Sequence, residues 1–209
     1  MRDRHVPAFS LTLILLLAAC GSSATPAPTG AGASPGATGR GPDATASAAT
    51  GPTSGSPVAT LIVDEGLLRY LPEQVGGFRM DFSREAAESV AGDPSLAGDA
   101  RSIAYGIAAD PAGTDWVVAA VVEIDAGVFS EAWFRDWRTT YDGAACAQAG
   151  GVAGHAEAGI DGRTVYIGTC NGGSHTYHVF LDADRIMISA ASVGPGRFGE
   201  LLMSGLRAG

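Results

Sequence analysis

A strand and the helix that follows it recur in this chain at an offset of 69 residues. Val117-Val118-Ala119-Ala120-Val121-Val122 lies over Ile186-Met187-Ile188-Ser189-Ala190-Ala191 without a gap. The same offset pairs Phe129 with Phe198, Glu131 with Glu200, Trp133 with Leu202, Phe134 with Met203, Trp137 with Leu206 and Arg138 with Arg207. A repeated strand, short loop and amphipathic helix predicts two duplicated β-β-β-α units related by a pseudo-twofold axis. Such a chain folds as α+β, with a mainly antiparallel sheet of about six strands and its helices packed on one face.

Local patterns fill in the units. Leu61 to Leu71 is an amphipathic opening, closed by Pro72 and a Gly76-Gly77 turn; Phe78, Met80 and Phe82 then alternate with Arg79 and Asp81, the period of a half-buried strand. Ser83 is placed to cap a helix from Arg84 to Ala91, stopped by Gly92 and Asp93-Pro94. Ile103, Tyr105 and Ile107, the turn Asp110-Pro111-Ala112-Gly113, and the run from Trp116 to Ile124 make a hairpin. Ser130 caps a helix from Glu131 to about Tyr141. Beyond a cysteine loop, strands are expected at Arg163 to Thr169, His175 to Leu181 and Ile186 to Ala191, with a closing helix through Phe198, Leu201, Leu202 and Leu206.

The N-terminus has a different character. Arg2 and Arg4 precede an apolar run from Ala8 to Ala19, and Leu17-Ala18-Ala19-Cys20 ends it. About twelve apolar residues in a helix rise roughly 18 Å, short of the ~30 Å hydrocarbon core, so a secretory signal fits better than a membrane span. With cysteine directly after the small residues, the segment resembles a bacterial lipoprotein signal, whose lipobox Leu-Ala-[Ala/Gly]-Cys it matches at all four positions. The resemblance implies removal of residues 1–19, attachment of diacylglycerol and palmitate to Cys20, and a cell-membrane location facing outside the cytoplasm. Residues 20–57 then run through Ala, Gly, Ser, Thr and Pro with only Arg40 and Asp43 charged. That composition cannot offset the entropy of ordering; as a coil of about 37 residues it reaches roughly 30–35 Å.

Residues 58–209 are expected to form a single domain, large enough to bury a core. The chain has 13 basic and 22 acidic residues and no Lys; leaving out Arg2, Arg4, Arg40, Asp3 and Asp43, this domain keeps ten Arg against twenty acids. Such a surface repels nucleic acid and anionic lipid, which removes both as direct partners of the domain.

Two cysteines remain after Cys20. Outside the cytoplasm Cys146 and Cys170 are expected to form a disulfide, closing a loop of about 25 residues worth about 3.5 kcal/mol in the chain-entropy model. The rival is a zinc site of Cys146, Cys170, His155 and His175, whose spacings contain no close ligand pair. No other metal, nucleotide or cofactor motif stands out.

Candidate catalytic groups each have a structural reading beside them. Gly173-Ser174-His175 lacks the G-x-S-x-G elbow, and adjacent residues on a strand point apart. His175 and His178 also face opposite ways on a strand, which suits exposed or merely hydrogen-bonded imidazoles. Glu123 and Asp125, near a strand end, are the residues for a glycosidase pair. The spacings Glu131 to Arg135 and Arg138 to Asp142 read as i,i+4 ion pairs on a helix surface. Trp133, Trp137 and Tyr141 form a stripe that could stack on a sugar ligand or pack into the core.

Leu71-Pro72-Glu73-Gln74-Val75-Gly76-Gly77-Phe78, the repeated hairpin-and-helix order, and Gly162-Arg163-Thr164-Val165 before a closing hairpin are similar to exported lipoprotein domains of GC-rich bacteria that have no assigned activity. The resemblance implies architecture and address and brings no catalytic residues. Two functions follow as expectations: a surface-tethered, non-enzymatic module binding an envelope protein, glycan or small ligand, or an extracytoplasmic hydrolase of cell-wall sugar or peptide.

Overall fold

A computed structural model describes residues 61–207. The signal segment, Cys20 and the 20–57 tether lie outside the described residues. The chain runs β1 (Ile62–Val63), β2 (Gln74–Val75), β3 (Phe78–Arg79), β4 (Asp81–Phe82), α1 (Arg84–Ala91), α2 (Pro94–Ala97), β5 (Ala100–Ala109) and β6 (Trp116–Ile124). It continues with α3 (Glu131–Cys146), β7 (Val152–Ile160), β8 (Arg163–Cys170), β9 (His175–Leu181), β10 (Ile186–Val193) and α4 (Phe198–Ser204). An eight-stranded sheet has the order β1-β5-β6-β10-β9-β8-β7, with β4 also on β5; β2 and β3 form a separate small hairpin. Every pairing in the large sheet is antiparallel except β1 with β5. The α+β class and the mainly antiparallel sheet are thus as the sequence predicts.

The two apolar runs that recur at offset 69 lie side by side at the centre. Ala120 and Ser189, which the offset makes equivalent, are direct partners in the β6–β10 register. Both central strands are covered on each face, because alternate side chains project to opposite sides. Val117, Ala119 and Val121 join one core cluster with Ile186, Ile188 and Ala190, while Ala120, Val122, Ile124 and Met187 join the other. A strand buried twice has no polar side, hence the unbroken apolar runs.

The helices do not share one face. Phe198, Leu202 and Met203 of α4 pack with Leu67, Tyr70 and Leu71 on the first cluster, whereas Phe134 of α3 packs with Ala86 and Ala87 of α1 on the second. A twofold axis normal to the sheet would keep both helices on one side, so the symmetry ends with the strands. The loops account for the break. Gly194 takes φ 101° directly after β10, while its counterpart at offset 69 is Asp125, absent from the positive-φ positions. Spacing in sequence counts residues and is blind to the hand of the turn between them.

Other departures are local. The opening segment is a two-residue strand followed by a 3-10 turn over Glu65–Tyr70, whose first turn Asp64 caps through Gly66 N–H. The Phe78 to Phe82 strand breaks at Met80, whose N–H donates to the Glu73 carbonyl at the end of the β2–β3 hairpin, before Asp81 and Phe82 pair with β5. Ser130 caps α3 by accepting from Trp133 N–H at 3.1 Å, as its position predicts, and α3 extends past Tyr141 to Cys146. Ser83 precedes α1 in extended conformation without a side-chain cap bond. Strand β7 falls in the stretch read as a cysteine loop, since Val-Ala-Gly-His-Ala-Glu-Ala-Gly-Ile is rich in Gly and Ala, which strands disfavour. Its marker was Asp161-Gly162, with φ 48° and 74°, the two-residue turn that joins β7 to β8.

Gly194 yields a test of the loop argument. A Cβ there would overlap the Thr114 carbonyl and the Asp115 carboxylate, while one on Gly127 (φ 86°) meets nothing within 4 Å. Gly194→Ala should therefore cost about 2–3 kcal/mol or more and Gly127→Ala only about 1 kcal/mol. Urea unfolding midpoints of the two variants measure the difference, and equal losses would remove the steric explanation.

Candidate functional site

The described domain contains two places with the ingredients of a site, one closed and one open. The closed one begins with Asp142 in the last turns of α3. Its carboxylate enters the protein at 2 % exposure and is met from two strands. His178 Nε2 of β9 lies 2.8 Å from Oδ1, Thr176 Oγ1 donates to the same oxygen, and His155 Nε2 of β7 lies 3.0 Å from Oδ2. Gly168 of β8 makes room for it, since a Cβ at that position would stand 2.8 Å from Oδ2.

The chain of bonds continues behind His178. Its Nδ1 is 2.9 Å from Ser189 Oγ, and Trp137 Nε1 is 3.0 Å from the same hydroxyl. Donor and acceptor chemistry orients all of it. An indole N–H only donates and a carboxylate only accepts, so Ser189 accepts from Trp137, gives its proton to Nδ1, and Nε2–H of His178 points to Asp142. One neutral imidazole satisfies every partner; a proton on Nδ1 would strand the serine hydrogen.

Charge placement favours the same state. Burial pushes the His178 pKa down, and the Arg138 guanidinium adds to this; together they outweigh the Asp142 carboxylate, which acts the other way. For Asp142, burial alone raises the pKa, yet the hydrogen bond from His178, with that from Thr176 behind it, brings it below the ordinary carboxylate value. Tyr141 stands edge-on to His178 with ring centres 5.1 Å apart, sealing the pocket. Cys146, one helical turn beyond Asp142, is bonded to Cys170 at the end of β8 with Cα atoms 5.1 Å apart. The predicted disulfide therefore pins α3 over the strands that receive its carboxylate. With both sulfurs bonded to each other, neither remains as a thiolate ligand for the zinc alternative.

Asp142, His178 and Ser189 bear the residue types of a hydrolytic triad. All three are buried, Ser189 completely, and its hydroxyl is occupied by His178 and Trp137. A substrate has no route to that oxygen in this conformation, and the arrangement serves packing.

The remaining sequence candidates fall elsewhere. Glu123 and Asp125 share Arg101, at 3.7 and 3.2 Å, and Glu123 also holds Ser102 and approaches Arg185 at 3.7 Å. These carboxylates are bridged by guanidinium groups at the strand end. The expected Arg138–Asp142 surface pair does not form: Arg138 lies 3.5 Å over the Tyr166 ring, and Asp142 turns inward because it shares the buried side of α3 with Cys146. Arg135 turns to Asp136 at 3.5 Å rather than to Glu131. Tyr141 is buried; Trp133 and Trp137 stack at 5.9 Å on the second core cluster, with the Trp133 indole Nε1–H donating to Asp99 Oδ2 at 3.0 Å. Those contacts are the ones a core stripe makes. His175 sits beside the Tyr177 ring, 6.4 Å between centres.

The open place is a pocket of about 320 Å³ between the 3-10 turn, the β2–β3 hairpin and the end of the chain. Leu68, Leu71 and Met80 line it together with Glu73, Arg79 and Arg207. Arg207 is fixed there by its backbone N–H to the Tyr70 carbonyl at 2.9 Å and by Glu73 at 3.4 Å. An apolar lining with a few charged groups, at the small end of ligand-pocket volumes, suits a modest ligand. Among the described residues no group of three or more His, Cys, Asp or Glu is arranged to hold a metal, and no helix is long and apolar enough to cross a membrane.

Compared with known proteins, the chain matches no family model, no curated protein and no solved structure.

Sequence reasoning missed His178, Ser189, Thr176 and Asp142 as one cluster. Ser189 alone stands as a polar residue within an apolar run; the β9–β10 register sets it opposite His178, and α3 carries Asp142 over them.

Two predictions follow from the cluster's chemistry. His178 binds a proton less readily folded than at its ordinary value of 6.5. The stability it contributes is complete above that pH and is lost as pH falls through the lower folded-state value. Asp142 adds a loss of the same sign beginning below 3.8. The thermal midpoint should drop between pH 7.5 and 5.5, and ring ¹⁵N shifts at pH 6.5 should show a neutral Nε2–H tautomer; a charged ring would contradict the assignment. Separately, Asp142→Asn removes one of the two acceptor oxygens and the negative charge on which His178, Thr176 and His155 converge, and Gly168→Ala pushes the carboxylate from its place. Each should cost about 2 kcal/mol or more in chemical denaturation, whereas a surface change such as Arg135→Gln should cost less than about 0.5 kcal/mol.

Proposed function

We propose that this chain is a lipid-anchored extracytoplasmic lipoprotein whose domain binds an envelope component, small ligand or protein partner without catalysing a reaction. The observation that carries this reading is the division of its three cysteines. Cys20 stands in a lipobox, and Cys146 and Cys170 are joined to each other. Both uses belong to the oxidising side of a membrane, where acylation follows export and disulfides persist.

The tether gives the reading a geometry. Cys20 and Leu61 are separated by a stretch of low-complexity composition, long enough as a coil to hold the domain clear of lipid headgroups. Acidic composition keeps the domain from adhering to that surface. The pocket bearing Arg79, Arg207 and Glu73 supports binding as the task and is the first place to look for a ligand contact.

Metabolic labelling with an alkyne palmitate tests the anchor: the full chain should label and Cys20→Ser should not. Label surviving that change, or absent from the natural chain, would remove the reading. A pull-down of the lipidated protein from solubilised envelope, with residues 20–60 alone as control, should return a specific protein or glycan. An empty pull-down together with turnover of a wall-derived sugar or peptide would put the hydrolase first.

A further inference from the structure

We propose that β7, the open edge of the large sheet, pairs with the β7 of a second copy of this chain, antiparallel about a twofold axis at Ala156. The two edges of the sheet are unlike. On one side β5 is covered by β1 near Ser102 and Ile103 and by β4 near Gly106 and Ile107. On the other, β7 presents nine residues, and among the described residues nothing pairs with its outer side. Edge strands that stay single are usually short or blunted by Lys, Pro or a central bulge. This one has neither residue, and its one irregularity lies at the end, between Val152 and Gly154.

The register decides which backbone groups are free. A two-residue turn makes Ile160 and Arg163 a hydrogen-bonded pair, so Ile160, Ala158, Ala156 and Gly154 address β8. The N–H and C=O groups of Gly159, Glu157 and His155 consequently point away from the sheet. Ala153, His155, Ala156, Glu157 and Gly159 are all exposed, so the centre of the strand is uncovered on both faces as well as along its edge.

Against its own copy this strand is complementary. With Ala156 opposite Ala156, His155 faces Glu157 of the second copy, and Glu157 faces its His155. These are the residues whose free backbone groups must exchange hydrogen bonds, so backbone and side-chain requirements select one register. Every other facing pair from Ala153 to Gly159 consists of Ala and Gly, which lets the strands close without steric conflict. A shift of one residue along either strand would oppose outward groups to inward ones, and a shift of two in total would separate the His–Glu pairs. The pairing needs neither a lipid anchor nor a ligand.

Cysteine cross-linking of the purified full chain tests the register. Across a non-hydrogen-bonded antiparallel pair the Cα atoms stand about 4.5 Å apart, within disulfide reach. Ala156→Cys should therefore give a covalent dimer on mild oxidation, mapped to a 156–156 linkage. Gly159→Cys, at a position where a Cβ meets nothing within 4 Å, should give less by about tenfold or more, because the two copies of that residue lie roughly 20 Å apart. Adding Glu157→Pro to Ala156→Cys removes an outward N–H and leaves the β7–β8 hairpin intact, and should abolish the cross-link while circular dichroism stays unchanged. Equal cross-linking at 156 and 159, or a cross-link that survives the proline in a folded chain, overturns the proposal.

Discussion

A carboxylate inside an apolar interior costs several kcal/mol unless donors fill its lone pairs, and Asp142 imposes that condition on α3 and three strands together. Oδ1 takes Thr176 and His178, and Oδ2 takes His155. Those donors come from β9 and β7, with Gly168 of β8 leaving the space between them. The helix can therefore sit in one register over the sheet and in no other without stranding a buried charge. The Cys146–Cys170 bond acts at the same helix end and in the same direction, by limiting how far α3 can depart from β8 in the unfolded chain.

The polar chain from Asp142 to Trp137 also explains how one face of a doubly covered sheet tolerates side chains that do not belong in a core. Ser189 lies at the centre of β10 among Ile188, Ala190 and Met187, all fully buried. It is kept because Trp137 and His178 use both capacities of its hydroxyl. On the opposite face the buried Ser192 hydroxyl is paired with the Tyr177 side chain. There α4 packs through Phe198, Leu202 and Met203, and Gly199 lets the helix approach the Tyr177 ring at a point where a Cβ would overlap it. Two helices that look equivalent in sequence thus make chemically different contacts.

What could be read in advance was what depends on near neighbours or on composition. The cap at Ser130, the α1 span, the β5–β6 hairpin and the disulfide follow from local pattern or cysteine count, and the structure has each of them. The helix face, the β7 strand and the polar cluster were not legible, for separate reasons. The face goes with the backbone dihedrals of the loops after β6 and β10, which differ at Gly127, Gly194 and Arg197 and which spacing does not encode. The β7 strand is held by its turn and its neighbour, with little propensity of its own. The cluster exists only once β8, β9 and β10 are aligned, since Asp142 and Ser189 are 47 positions apart in sequence. Arg138 and Asp142 show the same limit on a helix: i,i+4 spacing permits an ion pair, but the burial of one partner decides where its charge goes.

His155 joins the two features that composition hides. Its ring touches the buried carboxylate, while the backbone of the same residue lies on the free edge of the sheet. More than half of its side chain remains in solvent, so it opens the closed network to water. A strand added beside β7 would bring Glu157 of the second copy opposite that ring and place the imidazole between two carboxylates. The donors around Asp142 and the pairing of the edge would then share a residue. A change at His155 would reach both, whereas Ala156 and Gly159 touch the edge alone.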